Sequence, residues 1–353
     1  MRPERPAQDP TAADGVDAVL AHAPAVDAAV RAEVARLAAT LTATDGALAP
    51  VADALVDAAA GGKRLRGALV CWAYGAHGGR SADDVLGAAV AVELVHLSAL
   101  IHDDVIDRAD TRRGRPSVHA RFADRTHGAN VAILLGDVVL AAAPAALEGC
   151  AVPAAARDAA RAALVRLQVE VGAGQLLDVD AAAGGRADVE RALTIATLKS
   201  GRYSVGRPLE LGALLAGADT AAAADLLQVG DPLGVAFQLR DDLLGVFGDP
   251  GETGKPAGAD LVEGKRTLLV AETLARLDAA GSTAFEADLG RDDPSAVERL
   301  RTAVTTSGAA AAVEERLDRL VADVEATVAT LPLAAEDRAA LVALAGWAAT
   351  RSR

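Results

Sequence analysis

In the stretch ELVHLSALIHDDVIDRADTRRGRP, Asp103 and Asp107 are four residues apart, with Asp104 beside the first. On a helix that spacing puts two carboxylates on one face, one turn from each other. There they repel by roughly a few tenths of a kcal/mol unless a cation sits between them. Magnesium takes one or two carboxylates together with phosphate oxygens. Arg112, Arg113 and Arg115 follow at once, and guanidinium forks suit phosphate. Gly114 and Pro116 are expected to end the helix. Taken alone, the pattern fits a solvated acidic helix end with a basic loop equally well.

The same device recurs in FQLRDDLLGVFGDPGETGKPAGADLVEGKRTLL, where an apolar helical run ends in Asp241 and Asp242 and a glycine-rich loop carries Lys255 and Lys265. GETGKP imitates a nucleotide-binding loop, but Asp249 stands where its first glycine belongs and Pro256 where the Ser/Thr belongs. Mobile lysines closing over a phosphate suit the segment better, because lysine is a flexible point charge. A third cluster, GGKRLRG at 61–67, sets Lys63, Arg64 and Arg66 between a glycine pair and an apolar helix. Free N–H groups at a helix start attract anions, so these three cations would form an anion site needing no metal; the alternative is a basic surface cap.

The elements that must carry these clusters are helical. Hydrophobic residues make up 52% of the chain but aromatics only 2%, so Ala, Leu and Val must build the core, and Ala is the strongest helix former. From about Val16, apolar residues recur at spacings of three and four. Breaks are expected at 60–63, 77–82, 111–117, 149–153, 183–186, 247–264 and 289–294. No repeat or low-complexity linker divides the chain, so the expectation is an all-α protein: a tail over 1–15, disordered, then one helical domain over 16–353. The apolar run 131–147 contains Asp137 and Pro144 and is short for a bilayer; it is expected to be a buried helix, with no stable membrane insertion. Residues 1–15 lack the continuous apolar stretch of a signal peptide. Cys71 and Cys150 are too few for a disulfide framework, which fits a reducing cytoplasm. A net charge of -14 argues against nucleic acid as a partner and implies that bound phosphate needs metal.

In their order along the chain these motifs resemble the trans-type isoprenyl (polyprenyl) diphosphate synthases. HDDVIDRADTRRGRP resembles the family's first aspartate-rich motif, FQLRDDLLGVFGDP…GKPAGADLVEGK the second, and GGKRLR its isopentenyl diphosphate site. The Gly136–Asp137 pair, GQLLD at 174–178 and the lysine of TLKSGRYS match in order between them. The resemblance implies the all-α isoprenoid synthase fold, with a substrate cavity inside a helical bundle, a homodimer and a magnesium cofactor. It implies a condensation of isopentenyl diphosphate with an allylic diphosphate (dimethylallyl, geranyl or farnesyl). Asp103, Asp107 and Asp241 would be metal ligands, supported by Asp104 and Asp242. Arg112, Lys199 and Lys255 would grip the allylic diphosphate, with Ser200 and Lys265 nearby. Lys63, Arg66, His96 and Arg113 would hold isopentenyl diphosphate, and Gln175 and Gln238 would line the cavity. One departure is Gly245, which stands where the second motif ends in an acid; either water replaces that ligand or that end of the site binds its metal ion more weakly.

In this family the product grows along the helix before the first motif. Val95, Ser98 and Ala99, at eight, five and four residues before Asp103, act as its floor, and one turn rises about 5.4 Å. None is bulky, so a product longer than farnesyl is favoured: geranylgeranyl diphosphate, with a longer polyprenyl chain as the alternative. A class I terpene cyclase would have no use for the Lys63–Arg66–His96–Arg113 pocket, and a non-catalytic subunit would typically lack the aspartates. His102 is expected to be structural, since magnesium prefers oxygen.

Overall fold

A computed structural model describes residues 10–185, 188–249, 251 and 257–351 of the chain. The expected all-α architecture is found, and its helices start and stop close to the expected breaks. The helices are α1 (Pro10–Leu20), α2 (Ala23–Thr44), α3 (Ala49–Ala58), α4 (Leu65–Ala76), α5 (Leu86–Ile106), α6 (Arg125–Glu148), α7 (Ala154–Ala182), α8 (Val189–Ile195), α9 (Arg207–Leu215), α10 (Thr220–Phe247), α11 (Ala259–Val262), α12 (Leu268–Leu274), α13 (Ala279–Asp288), α14 (Pro294–Thr306), α15 (Ala309–Val328) and α16 (Ala335–Thr350). The strands among the described residues are β1 (Thr111–Arg112) and β2 (Arg115–Pro116), paired antiparallel.

The chain forms two compact units, one of residues 19–166 and 208–224, the other of 1–18, 167–207 and 225–353. In the first, α5 is the central helix: Ala88–Val95, Leu97, Ser98 and Ile101 are buried, and α2, α4 and α6 pack around it. Gly87 allows α5 to approach α6, since a Cβ there would stand 2.3 Å from the Ala146 carbonyl oxygen. In the second unit, Leu239, Leu243 and Val246 of α10 share a core with Leu261, Leu268, Phe285, Leu300, Val304 and Leu317. Beside it runs a π-helical segment, Ala196–Gly206. It lies against α10 through facing glycines: a Cβ on Gly234 would be 2.4 Å from the Gly201 Cα, and one on Gly230 2.3 Å from the Gly206 Cα.

Two expectations are corrected. The stretch 10–15, expected as tail, is the start of α1. Proline is favoured in a first helical turn, and Gly15 approaches α16 so closely that a Cβ would fall 2.6 Å from the Ala343 Cβ; residues 1–9 lie outside the described residues. The apolar run 131–147 is helical, as α6, but not wholly buried, because Ile133 is 45%, Leu134 65% and Val138 37% exposed. Helices α5 and α6 are each long and apolar enough to cross a membrane, yet α5 is enclosed by its neighbours and carries buried Glu93.

Candidate active site

Helix α5 delivers the first aspartates. It stays helical through Asp107, whose N–H bonds to the Asp103 carbonyl at 2.8 Å. Asp103 and Asp107 therefore sit one turn apart, as their spacing predicts. The helix then ends with Arg108 in the left-handed region (φ 54) and the Ala109 N–H on the Asp104 carbonyl at 2.9 Å. This is a Schellman closure with arginine where glycine is usual. Asp103 is partly open and Asp107 exposed, whereas Asp104 is buried. Arg112 holds Asp104, donating from Nε at 2.7 Å and Nη2 at 2.6 Å, and lies 3.7 Å from Asp103. Burial raises the Asp104 carboxyl above its ordinary value; the bond from Arg112 opposes this and the charge of Asp103 adds to it. Asp104 is thus buried against Arg112, whose guanidinium rests on carboxylates.

The basic loop expected after α5 is a two-residue hairpin turn. Arg113 (φ 52) and Gly114 (φ 73) are both left-handed between β1 and β2, as a type I′ turn demands. It swings Arg113 to Gly62, where a Cβ would meet the guanidinium at 3.1 Å. His96 lies in the same neighbourhood: burial lowers its pKa well below the ordinary value, and the charges of Arg66, Arg113, Arg112 and Arg64 lower it further. Burial also lowers the Arg113 pKa, with Arg112, Arg64 and Arg66 adding repulsion and Glu93 offsetting it. Such crowding of like charge favours an incoming polyanion. A cavity of about 240 Å³ opens beside the hairpin, lined by Gly61, Leu97, Ile101, Asp104, Arg112 and Arg113 among others. Arg66, His96 and Arg113 are therefore brought together, with Lys63 exposed beside Gly62 in the chain. Arg64 is not a surface cation as the third cluster implied; it is turned inward and 8% exposed. Of the floor residues, Val95 and Ser98 are sealed in the α5 core, and Ala99 is half-buried.

The second unit positions the other cluster. On α10, Asp241 is open and Asp242 buried. Gln238, expected to line the cavity, donates to Asp242 at 2.7 Å. Burial pushes the Asp242 carboxyl up to about 8; the Gln238 bond and Lys265 pull it down, and the Asp260 and Asp241 charges push it up. Gly245 lies against Asp260, whose Oδ2 would be 2.0 Å from a Cβ there. The Asp260 carboxylate of α11 thus occupies the space beside Gly245, where the motif's third acid would stand. Lys265 pairs with Glu263 at 2.5 Å and Asp260 at 3.6 Å. Asp241 pairs with Arg351 at 2.5 Å, and that guanidinium stacks 3.6 Å above Phe237. Within the π-helical segment, Lys199 pairs with Asp178 at 2.5 Å. Gly174 allows this approach, since its Cβ would lie 2.5 Å from the Lys199 nitrogen. Gln175 and Ser200 are half-buried nearby in sequence; Lys255 lies outside the described residues. His102 lies 3.0 Å from the Ile133 carbonyl and 3.6 Å from Asp137.

Asp103 and Asp107 on α5 and, in the other unit, Asp241 on α10 each offer hard carboxylate oxygens, the donor type that suits magnesium. Among the described residues no three His, Cys, Asp or Glu side chains converge as a closed protein metal site requires.

Asp260 and Arg351 were not found from sequence, because each reaches the aspartates only through tertiary approach; the GADLVEGK string was the available signal for the former.

The sequence pattern of the polyprenyl synthetase family matches residues 48–306. The chain belongs to this family. Among curated relatives, a geranylgeranyl diphosphate synthase of Mycobacterium tuberculosis is 38% identical over 289 residues, 80% of this chain and 78% of that protein. A geranylfarnesyl diphosphate synthase of Aeropyrum pernix is 35% identical over 66% of this chain and 74% of that one. Among solved structures, a Corynebacterium glutamicum geranylgeranyl pyrophosphate synthase complexed with isoprenyl diphosphate and magnesium superposes with a TM-score of 0.84 at 34% identity, covering 92% of this chain and 98% of that one. This polyprenyl synthetase is accordingly a prenyltransferase with the isoprenoid synthase fold.

Proposed function

We propose that this synthase condenses isopentenyl diphosphate with an allylic diphosphate in the presence of magnesium, giving geranylgeranyl diphosphate. What supports the reading is the crowding of Arg66, His96 and Arg113, with Lys63 beside them in sequence, in the same unit as the Asp103/Asp107 face. Two phosphorylated substrates held in different ways are what chain elongation requires, and a terpene cyclase would need only one.

Asp103, Asp107 and Asp241 would hold the metal, with Asp260 supporting at Gly245. When bound, magnesium neutralises charge developing on the leaving diphosphate. Arg112 and Lys199 add fixed positive charge to that diphosphate, with Lys255, Ser200 and Lys265 as further contacts and Gln175 and Gln238 bordering the reacting groups. The allylic carbon–oxygen bond breaks, the double bond of isopentenyl diphosphate attacks the allylic cation, and the released diphosphate takes the proton that is lost. Arg113 and His96 keep the isopentenyl diphosphate in place through these steps.

Small side chains at Val95, Ser98 and Ala99 support a product longer than farnesyl. The exposed apolar face of α6 supports a homodimer, and two buried free thiols suit a cytoplasmic location. The test is incubation with labelled isopentenyl diphosphate, magnesium and each of the dimethylallyl, geranyl and farnesyl primers, followed by chain-length analysis. Absence of product with every primer would sink the reading; a farnesyl end product would refute the length assignment alone. Ala99→Phe is expected to shorten the product while turnover continues, since the position is half-buried. Ser98→Phe, at a site 2% exposed, is expected to cost about 1–3 kcal/mol by overpacking.

A further inference from the structure

Between the glycine pair at 61–62 and α4, Arg64 adopts φ 51, a left-handed conformation that costs a non-glycine residue on the order of 1–3 kcal/mol. What holds it there is visible. Its Nε donates to Asp27 of α2 at 2.9 Å, its Nη2 donates to the Ala59 carbonyl at 2.6 Å, and its Nη1 lies 3.6 Å from Glu93 of α5. Glu93 is 3% exposed, and its Oε1 accepts the Gly67 N–H at 3.0 Å. One guanidinium therefore joins α2, the end of α3 and α5, while Glu93 secures the first turn of α4. The backbone turn separates the fates of the three cations: Lys63 is exposed, Arg66 half-buried and Arg64 enclosed. Glu93 is also the carboxylate that offsets repulsion at Arg113.

We propose that Arg64 and Glu93, with Asp27, are positioning residues for the metal-free diphosphate pocket. They touch no substrate, and they set the separation of Lys63 and Arg66 along the strained loop while supplying the buried negative charge that lets Arg66, Arg113 and His96 crowd together. This rests on the reading of that pocket as the isopentenyl diphosphate site. A planar fork is needed because three acceptors lie in three directions, which a lysine ammonium on a flexible stem does not span.

The test uses Arg64→Lys and Glu93→Gln in the full chain. Arg64→Lys is expected to raise KM for isopentenyl diphosphate about ten-fold, leaving kcat and KM for the allylic primer within about two-fold. Glu93→Gln keeps an acceptor for Gly67 but loses the charge, and should give a smaller rise in the same constant. Equilibrium dialysis of radiolabelled isopentenyl diphosphate, without metal or primer, reads the pocket apart from catalysis and should show the same ranking. Parallel changes in both KM values, or unchanged dialysis with Arg64→Lys, would overturn the proposal while wild-type uptake leaves the pocket's assignment standing. No uptake by the wild type would remove that assignment and this inference with it. If Arg64→Lys folds poorly, Glu93→Gln alone decides, since no change in its dialysis would also refute the role.

Discussion

Gly245 shows how far single residues could be understood before their neighbours were known. As a departure from the second motif's terminal acid it signals a lost ligand; in the fold the Asp260 carboxylate stands beside it. Gly245→Asp, which restores the motif on paper, is therefore expected to fail. Its Cβ would fall 2.0 Å from Asp260 Oδ2, and it would add a charge next to Asp241, Asp242 and Asp260. The melting temperature should drop without any gain in magnesium affinity by calorimetry, and Asp260→Gly in the same chain should restore the stability. His96 offers a pH test. Its folded pKa lies well below the ordinary imidazole value of 6.5, through burial and then Arg66, Arg113, Arg112 and Arg64. Above pH 6.5 both folded and unfolded states carry it neutral, and its contribution to stability is intact. As the pH falls below 6.5 the unfolded state takes up the proton first, so stability declines. Urea unfolding between pH 7.5 and 5 should show a shallower decline for His96→Gln than for the wild type.

At the scale of elements, helices and their ends were legible because Gly, Pro and Asp punctuate an otherwise periodic apolar pattern. What periodicity does not encode is the hydrogen-bond register within a helix. The segment Ala196–Gly206 is π-helical and lies close against α10. Gly201, Gly206, Gly230 and Gly234 make that approach possible, and Lys199 rides on the segment to meet Asp178. Gly234→Ala places a methyl 2.4 Å from the Gly201 backbone, which forces the segment away from α10. A stability loss of about 1–3 kcal/mol is expected from overpacking, read from denaturant midpoints. The displacement should raise KM for the allylic substrate more than for isopentenyl diphosphate. Equal rises would separate Lys199 from the allylic role.

For the molecule as a whole, the apolar run of α6 was legible as a helix but not as a surface. Ile133, Leu134 and Val138 recur on one side of α6 around the exposed Asp137, and the chain leaves the three apolar residues 45%, 65% and 37% exposed. Water contact with so much apolar area in one stripe is unfavourable at roughly 25 cal/mol per Å², and such patches mark association sites. A second copy presenting the same stripe is self-complementary, which is the condition for a two-fold interface. Leu134→Glu puts a charge at the centre of that stripe while leaving the buried side of α6, with Ala132, Leu135 and Val139, untouched. In a monomer the change is nearly neutral, because the position is already wet. In a dimer two carboxylates would be brought together out of water, so dissociation is expected. Sedimentation velocity at micromolar concentration should show the wild type at twice the mass of Leu134→Glu, with the circular dichroism of both unchanged. If both sediment at the monomer mass, the α6 stripe has some other partner and the homodimer reading falls.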